Sequence, residues 1–314
     1  MKMDFTEMFR RSIMEIILVV ICIILGFTAP NFFTTGNLLN VFRSVSMQGI
    51  IAFGMTMVII SGEIDLSVGS AVAMTGCLIA FLVQSGVPVI PAILITLAVG
   101  FLTGAFTGVL RAKYEVPSFI TSLALLTGLK GLAFIITGGF PITSFPEWFN
   151  FLGGGYVLGI PFPAIIFIII FGLAHFLMNY TTFGRAVYAV GGNAESARLS
   201  GINVGKIKIL VLAVTGMLAA LSGIMLSARI MSGTPTVAQG WELDVIAAVI
   251  IGGTSLMGGS GRIWGTLIGV IFIGVIINGM TLLNVPIYTQ YVVRGVLILS
   301  AVLINRMQQS KEAA

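Results

Sequence analysis

Apolar residues run along this chain in long blocks, broken by short polar stretches. Eight blocks stand out, at 13–29, 45–60, 90–110, 119–136, 162–178, 209–226, 263–283 and 288–304. Each is near the roughly 17–25 residues that cross a bilayer as a helix. A helix closes its own backbone hydrogen bonds, so it can sit in lipid where water is absent. Two weaker blocks join them: 67–83, rich in small residues, and 245–256, which is short and followed by GGSGR at 258–262. Together they predict an all-α polytopic membrane protein of about ten transmembrane helices.

The largest polar interruption is 181–209, an island carrying Arg185, Glu195, Arg198, Lys206 and Lys208. Within it Asn193 is a good N-cap, because its side chain can accept from free first-turn amides. Glu195 falls where the positive helix end favours an anion. Ala194, Ala197 and Leu199 favour helix, and Gly201 suits a left-handed stop. The pattern predicts a surface helix of about two turns between Gly192 and Gly201. A plain solvated loop is the simpler alternative.

Composition narrows the class. Only 9% of the 314 residues are charged and 57% are hydrophobic. The mean hydropathy is +1.10. Water-soluble domains carry about 25% charged residues, so this chain cannot coat a globule in water. Its basic residues follow the loops. With the N-terminus inside, the inside segments hold Lys2, Arg10, Arg11, Arg111, Lys113, Arg185, Arg198, Lys206, Lys208, Arg262, Arg306 and Lys311, which is 12 of the 16 Lys and Arg. That split predicts ten crossings with both termini cytoplasmic. The basic excess therefore reports topology, and no nucleic-acid partner is expected. The first block lacks a small-x-small cleavage site and is expected to be retained.

Finer patterns add packing and symmetry. The outer segments 30–44 and 138–160 mix aromatics with Pro, Gly and Asn. They read as interfacial, with Trp148 and Tyr156 at the headgroup level. Gly100, Gly104 and Gly108 form a small-residue stripe, as do Gly265 and Gly269, which lets helix backbones approach closely. Gly62-Glu63-Ile64-Asp65-Leu66 and Trp241-Glu242-Leu243-Asp244-Val245 share Glu-x-Asp before a small-residue block, on opposite faces of the predicted topology. The pair points to an inverted repeat of the two halves, as in many transporters.

Several chemistries have no sequence basis. No GxxxxGK[ST] run or GxSxG elbow occurs, and the single His175 reads as a buried, hydrogen-bonded residue. Cys22 and Cys77 both lie in apolar blocks and form no CxxC pair. Lys130 and Arg294 are the candidates for a charge at mid-membrane, no acidic residue reads as lying clearly at mid-depth, and Asp65 and Asp244 read as lying at block ends. That is thin support for an ion-coupled secondary sugar transporter acting alone, the second reading. Energy supplied by a partner is the first.

Four stretches carry a resemblance: APNFFTTGNLLN (29–40), GMTMVIISGEIDLSVGS (54–70), GGNAESARLSGINVGKIKI (191–209) and WELDVIAAVIIGGTSLMGGSGRIWGTLIG (241–269). They resemble the transmembrane permease subunits of bacterial ATP-binding-cassette importers for monosaccharides such as ribose, xylose and galactose. The likeness covers nearly the whole chain and implies a type II importer-like fold. Glu63 departs from it, standing where that family often has a small residue.

The resemblance implies one permease domain over 1–314, with a first half at 1–180, a coupling segment at 181–209 and a second half at 210–314. It implies a bacterial inner-membrane location and a monosaccharide cargo, D-ribose first. The implied partners are an ATPase subunit, a periplasmic or lipid-anchored sugar-binding protein, a second permease copy and membrane lipid. ATP and magnesium would sit on the ATPase, with no cofactor in this chain. The ATPase-coupling helix carries over to Asn193, Ala194, Glu195, Ser196, Ala197, Arg198, Leu199, Ser200 and Gly201. Candidates for the translocation path are Gln48, Thr56, Asp65, Ser67, Ser70, Asn278 and Asn284. For six of them an interhelical hydrogen bond is the heavier reading, and for Asp65 it is a cap on the next helix. Arg43 and Arg229 are candidates for docking the binding protein, or for lipid phosphate.

Overall fold

The computed structural model describes residues 13–312. The eight longer apolar blocks are helical over nearly all their length, whereas 245–256 leaves its helix after Ile251. Helices α1 Ile13–Thr28, α2 Thr35–Ile60, α3 Val68–Gln84, α4 Val89–Tyr114 and α5 Ser118–Thr137 form the first half. A short excursion follows, with a 3-10 turn at Glu147–Asn150, one helical turn α6 at Phe151–Gly154, and a hairpin of β1 Tyr156–Val157 and β2 Ile160–Pro161. Then come α7 Phe162–Tyr180, α8 Thr182–Gly192, α9 Ala194–Leu199, α10 Val204–Ile230, α11 Trp241–Ile251, α12 Ile263–Leu282 and α13 Ile287–Glu312.

Local chemistry sets the ends. The Thr34 side chain accepts from the Asn37 amide at the start of α2. Pro88, Pro117 and Pro161 stand just before α4, α5 and α7, where a proline cannot extend a preceding helix.

Six of the described helices are long and apolar enough to cross a membrane: α2, α4, α5, α7, α10 and α12. α1 and α3 are apolar but shorter. α11 has only 11 residues. That is about 16 Å, roughly half of a hydrocarbon core. α2 and α10 lie at the centre, with 83% and 67% of their apolar windows buried, against 22–28% for α4, α5 and α7. The rim helices turn Leu102, Phe106, Ile135 and Leu173 outward.

Contacts give the helix directions. α2 and α10 are antiparallel, since Ser222 donates to the Met47 carbonyl at 2.8 Å and Arg229 reaches Ser44. The stripe Gly100, Gly104, Gly108 lies directly on α10, and a Cβ at Gly104 would sit 2.1 Å from the Leu212 carbonyl oxygen. Gly265 and Gly269 do the same for α12 on α11. Both stripes are thus backbone contacts, as the sequence predicts.

The halves repeat with inverted direction. α2 ends, residues 61–67 run without helix, and α3 starts beside α11. α10 ends, residues 231–240 run without helix, and α11 starts there in turn. The two starts touch: a Cβ at Gly69 would lie 2.1 Å from a Glu242 carboxylate oxygen. The meeting point is at the middle of α2, because Gln48 bonds to Asp244.

The end of the bundle holding α8 and α9 is here called the island face. Arg111, Lys113, Arg185, Arg198, Lys206, Lys208 and Arg262 all fall there, and Arg43 and Arg229 lie at the far face. Lys2, Arg10 and Arg11 lie outside the described residues.

Three expectations are corrected. Segment 30–44 is not a separate interfacial stretch, because α2 begins at Thr35 under the Thr34 cap. His175 is half-buried rather than buried, bonded on its own helix to Asn179. The island holds α8 and the start of α10 besides the expected short helix, because α8 gains support from packing that its glycines conceal in sequence.

Candidate functional site

The island's short helix is built as its residues dictate. Asn193 accepts from the Ser196 amide at 2.8 Å, and Ser200 donates to the Ser196 carbonyl at 2.9 Å. Gly201 takes φ +83°, a left-handed turn that frees the chain toward α10. Ala197 is buried, while Ala194, Glu195, Ser196, Arg198, Leu199 and Ser200 face outward. Glu195 and Arg198 pair with each other at 2.6 Å. The hydrogen bond from Arg198 holds the Glu195 carboxyl below its ordinary value, and Glu195 raises Arg198 in return. α8 joins this helix to the bundle. Gly191 presses on the end of α2, where an added Cβ would fall inside the Ile60 carbonyl oxygen. The Gly259 amide donates to that same oxygen at 2.9 Å, and Tyr188 donates its hydroxyl to the Gly261 carbonyl at 2.9 Å. Main chain from α2, α8 and the loop after α11 therefore meets at one point.

Beside this junction lies a buried carboxylate that sequence reasoning did not place. Glu63 accepts from Arg111 on α4 at 2.7 Å and from Lys208 on α10, and its side chain is only 4% exposed. The next amide, Ile64, donates to Ser118 on α5 at 3.2 Å. Burial alone would raise the Glu63 carboxyl. The hydrogen bonds from Lys208, Ser118 and Arg111 outweigh it and hold the group below its ordinary value. The connector 61–67 is thus stapled to three helices. The available signal was Glu63 itself, as the departure from the resembled family.

At mid-depth the two half-helices meet. Asp65 is buried and accepts from the Ser67 amide at 2.8 Å and the Ser67 hydroxyl at 2.6 Å, just ahead of α3. Ser70 is half-buried in the first turn of α3. Asp244 accepts from Gln48 at 3.3 Å and from Arg294 at 3.1 Å, tying α11 to α2 and α13. Asp244 therefore does not lie at a span end. A short helix that starts inside the bundle carries it to mid-depth, and block length in the sequence cannot report that.

The seven path candidates do not form one lining. Gln48, Asp65, Ser67 and Ser70 gather around the half-helix starts. Thr56 is buried against the Thr266 hydroxyl at 2.6 Å. Asn278 exchanges amide hydrogen bonds with Asn37 at 2.8 and 3.0 Å. Asn284 sits on an exposed turn at the far face with φ +54°. Arg43 and Arg229 are neighbours there. Arg43 stacks over the Tyr156 ring at 4.8 Å and donates to the Gly154 carbonyl, and Arg229 donates to Ser44.

Paired half-helices inside a shell of full-length apolar helices define an all-α polytopic membrane permease. Residues 37–302 match the family described as the permease component of the branched-chain amino acid transport system, and the chain belongs to that family. It is 46% identical over 298 residues to the ribose import permease protein of Escherichia coli strain K12, covering 94% of this chain and 93% of that one. It is 44% identical over 301 residues to the ribose import permease protein of Haemophilus influenzae, covering 95% and 93%. The Bacillus subtilis ribose import permease protein is 44% identical over 295 residues, covering 93% and 92%. No solved structure matches the chain.

Proposed function

We propose that this chain is the membrane-spanning subunit of an importer that carries D-ribose inward, powered by separate ATPase subunits. The observation that carries this reading is the 44–46% identity to ribose import permeases over nearly the full length. ATP and magnesium bind the ATPase, and a periplasmic or lipid-anchored protein delivers the sugar near Arg43 and Arg229. Two copies of the chain pair in the lipid of a bacterial inner membrane. The island face is cytoplasmic with both termini on that side, a reading supported by the basic residues gathered there. The surface helix Ala194–Leu199 then meets the ATPase, and the backbone junction at Gly191 carries its movement to the connector after α2 and to the loop that follows α11.

The test is reconstitution of the permease with its ATPase and binding protein in proteoliposomes. D-ribose uptake is expected to require ATP and the binding protein. Uptake driven instead by a proton or sodium gradient would return the reading to a secondary carrier. Substitution of Glu195 or Arg198 is expected to lower ATPase stimulation and uptake. Normal values for both variants would remove this helix from the coupling role.

A further inference from the structure

A cavity of about 240 Å³ opens beside the turn between α4 and α5, walled by Glu63, Ile64, Arg111, Pro117, Ser118 and Phe119. We propose that this cavity binds the phosphodiester headgroup of an anionic phospholipid, taken from the leaflet on the island face. The proposal needs only the membrane fold and is independent of the sugar-import reading.

Position comes first. Arg111 stands in the last turn of α4, which ends at Tyr114, and Ser118 begins α5. Both are rim helices long enough to cross a membrane, so the cavity lies at a span end and not within the hydrocarbon. Tyr114, Phe119 and Ile120 are exposed there, and Lys113 stacks over the Tyr114 ring at 5.4 Å. Exposed aromatic and basic side chains together mark the level where lipid tails give way to headgroups.

Charge comes next. Glu63 offsets only one of its two cations, so the Arg111, Lys208 and Glu63 cluster keeps one positive charge. Lys208 is turned inward with its side chain 10% exposed, whereas the Arg111 side chain is 29% exposed and lines the cavity. Arg111 gives its Nε to Glu63 at 2.7 Å, and its Nη1 reaches the Glu115 carbonyl only at 3.5 Å. Its Nη2 has no partner among the described residues. That edge of the guanidinium can donate to a phosphate oxygen.

Size and charge select the ligand. The cavity is below the roughly 300–1,000 Å³ that encloses a whole small molecule, so a ligand enters by one group. A phosphodiester brings one negative charge, which the surplus balances. A phosphomonoester brings about two and sets the second against Glu63. Phe119 and Ile120 offer an apolar surface to the acyl chains of the same lipid. Basic pockets between membrane helices hold anionic headgroups on these terms.

The experiment uses the full-length permease in a neutral detergent, with bound lipid read by native mass spectrometry. Phosphatidylglycerol is expected to bind about tenfold more tightly than phosphatidylcholine, whose own ammonium offsets its phosphate. Arg111→Gln is expected to erase that preference. Phe119→Glu, on an exposed wall where folding tolerates it, is expected to do the same by adding a like charge. Arg185→Gln removes a basic residue of the island face outside the cavity, and the preference is expected to survive. Excess inorganic phosphate is expected to leave the lipid bound. Equal affinity for the two lipids overturns the proposal, as does a preference that persists in Phe119→Glu or in folded Arg111→Gln. So does an equal loss in Arg185→Gln, which would mean general attraction to a basic face. Displacement by inorganic phosphate would assign the cavity to a free anion and overturn it as well.

Discussion

The two Glu-x-Asp segments share their letters and differ in their wiring. In the first, Glu63 is buried and held by Arg111 and Lys208, while Asp65 is satisfied locally by Ser67. In the second, Glu242 has no ion pair among the described residues, while Asp244 reaches Gln48 and Arg294 on other helices. The inverted repeat thus preserves where the acids stand relative to the half-helices but not what they do. The first connector is fastened near the island face. The second is fastened one helical turn inside and leaves its leading carboxylate without an ion pair among the described residues.

Removing an acid on either side breaks this comparison. Glu63→Ala strands two cations in a buried site, and a loss of about 3–5 kcal/mol is expected from denaturant unfolding in detergent. A loss well under about 1 kcal/mol would mean that the backbone contacts alone hold the connector. The same cluster has a pH signature. The folded Glu63 carboxyl sits below its ordinary value of 4.5, so its stabilisation is complete above that value. It disappears as pH falls through the depressed one. Glu63→Gln is expected to flatten the acid limb of the stability profile, and an unchanged limb would reassign it to other carboxylates. Asp244→Asn leaves one partly exposed guanidinium, so about 1.5–3 kcal/mol is expected by the same unfolding measurement. A larger loss than at Glu63 would invert the comparison. Ser67→Ala removes one hydroxyl from Asp65 while the amide remains, and about 1 kcal/mol is expected. Asn193→Ala should destabilise only the short surface helix, by about 1 kcal/mol, read as faster exchange at the Ser196 amide with the global transition unmoved.

Features written in neighbouring residues were legible in the sequence. The apolar blocks became helices because length and hydropathy settle that question locally. The surface helix could be placed because Asn193 and Gly201 act within four residues of where they stand. The glycine stripes could be read as contacts because spacing alone puts them on one helix face. What failed depended on distance. Glu63 and Lys208 are 145 residues apart, and no local pattern pairs them. Asp244 and Arg294 are 50 apart and meet only because α11 is short. α8 was missed because Gly184, Gly191 and Gly192 lower helix propensity, while the packing that offsets this comes from Ile60 and Gly259. Thr56 and Asn278 make the interhelical hydrogen bonds that were the heavier reading for them, although their partners Thr266 and Asn37 lie too far away in sequence to be named from it.

The ion pair within the surface helix has a consequence for assembly. Glu195 and Arg198 neutralise one another along a single helix face, so the helix itself adds little net charge to the basic island face around it. What protrudes is Leu199, 76% exposed at the helix's end. On the proposed coupling role, the helix's own share of recognition is the fit of an apolar knob in a socket. That apolar share persists as salt rises, whereas any share from the surrounding basic residues is screened.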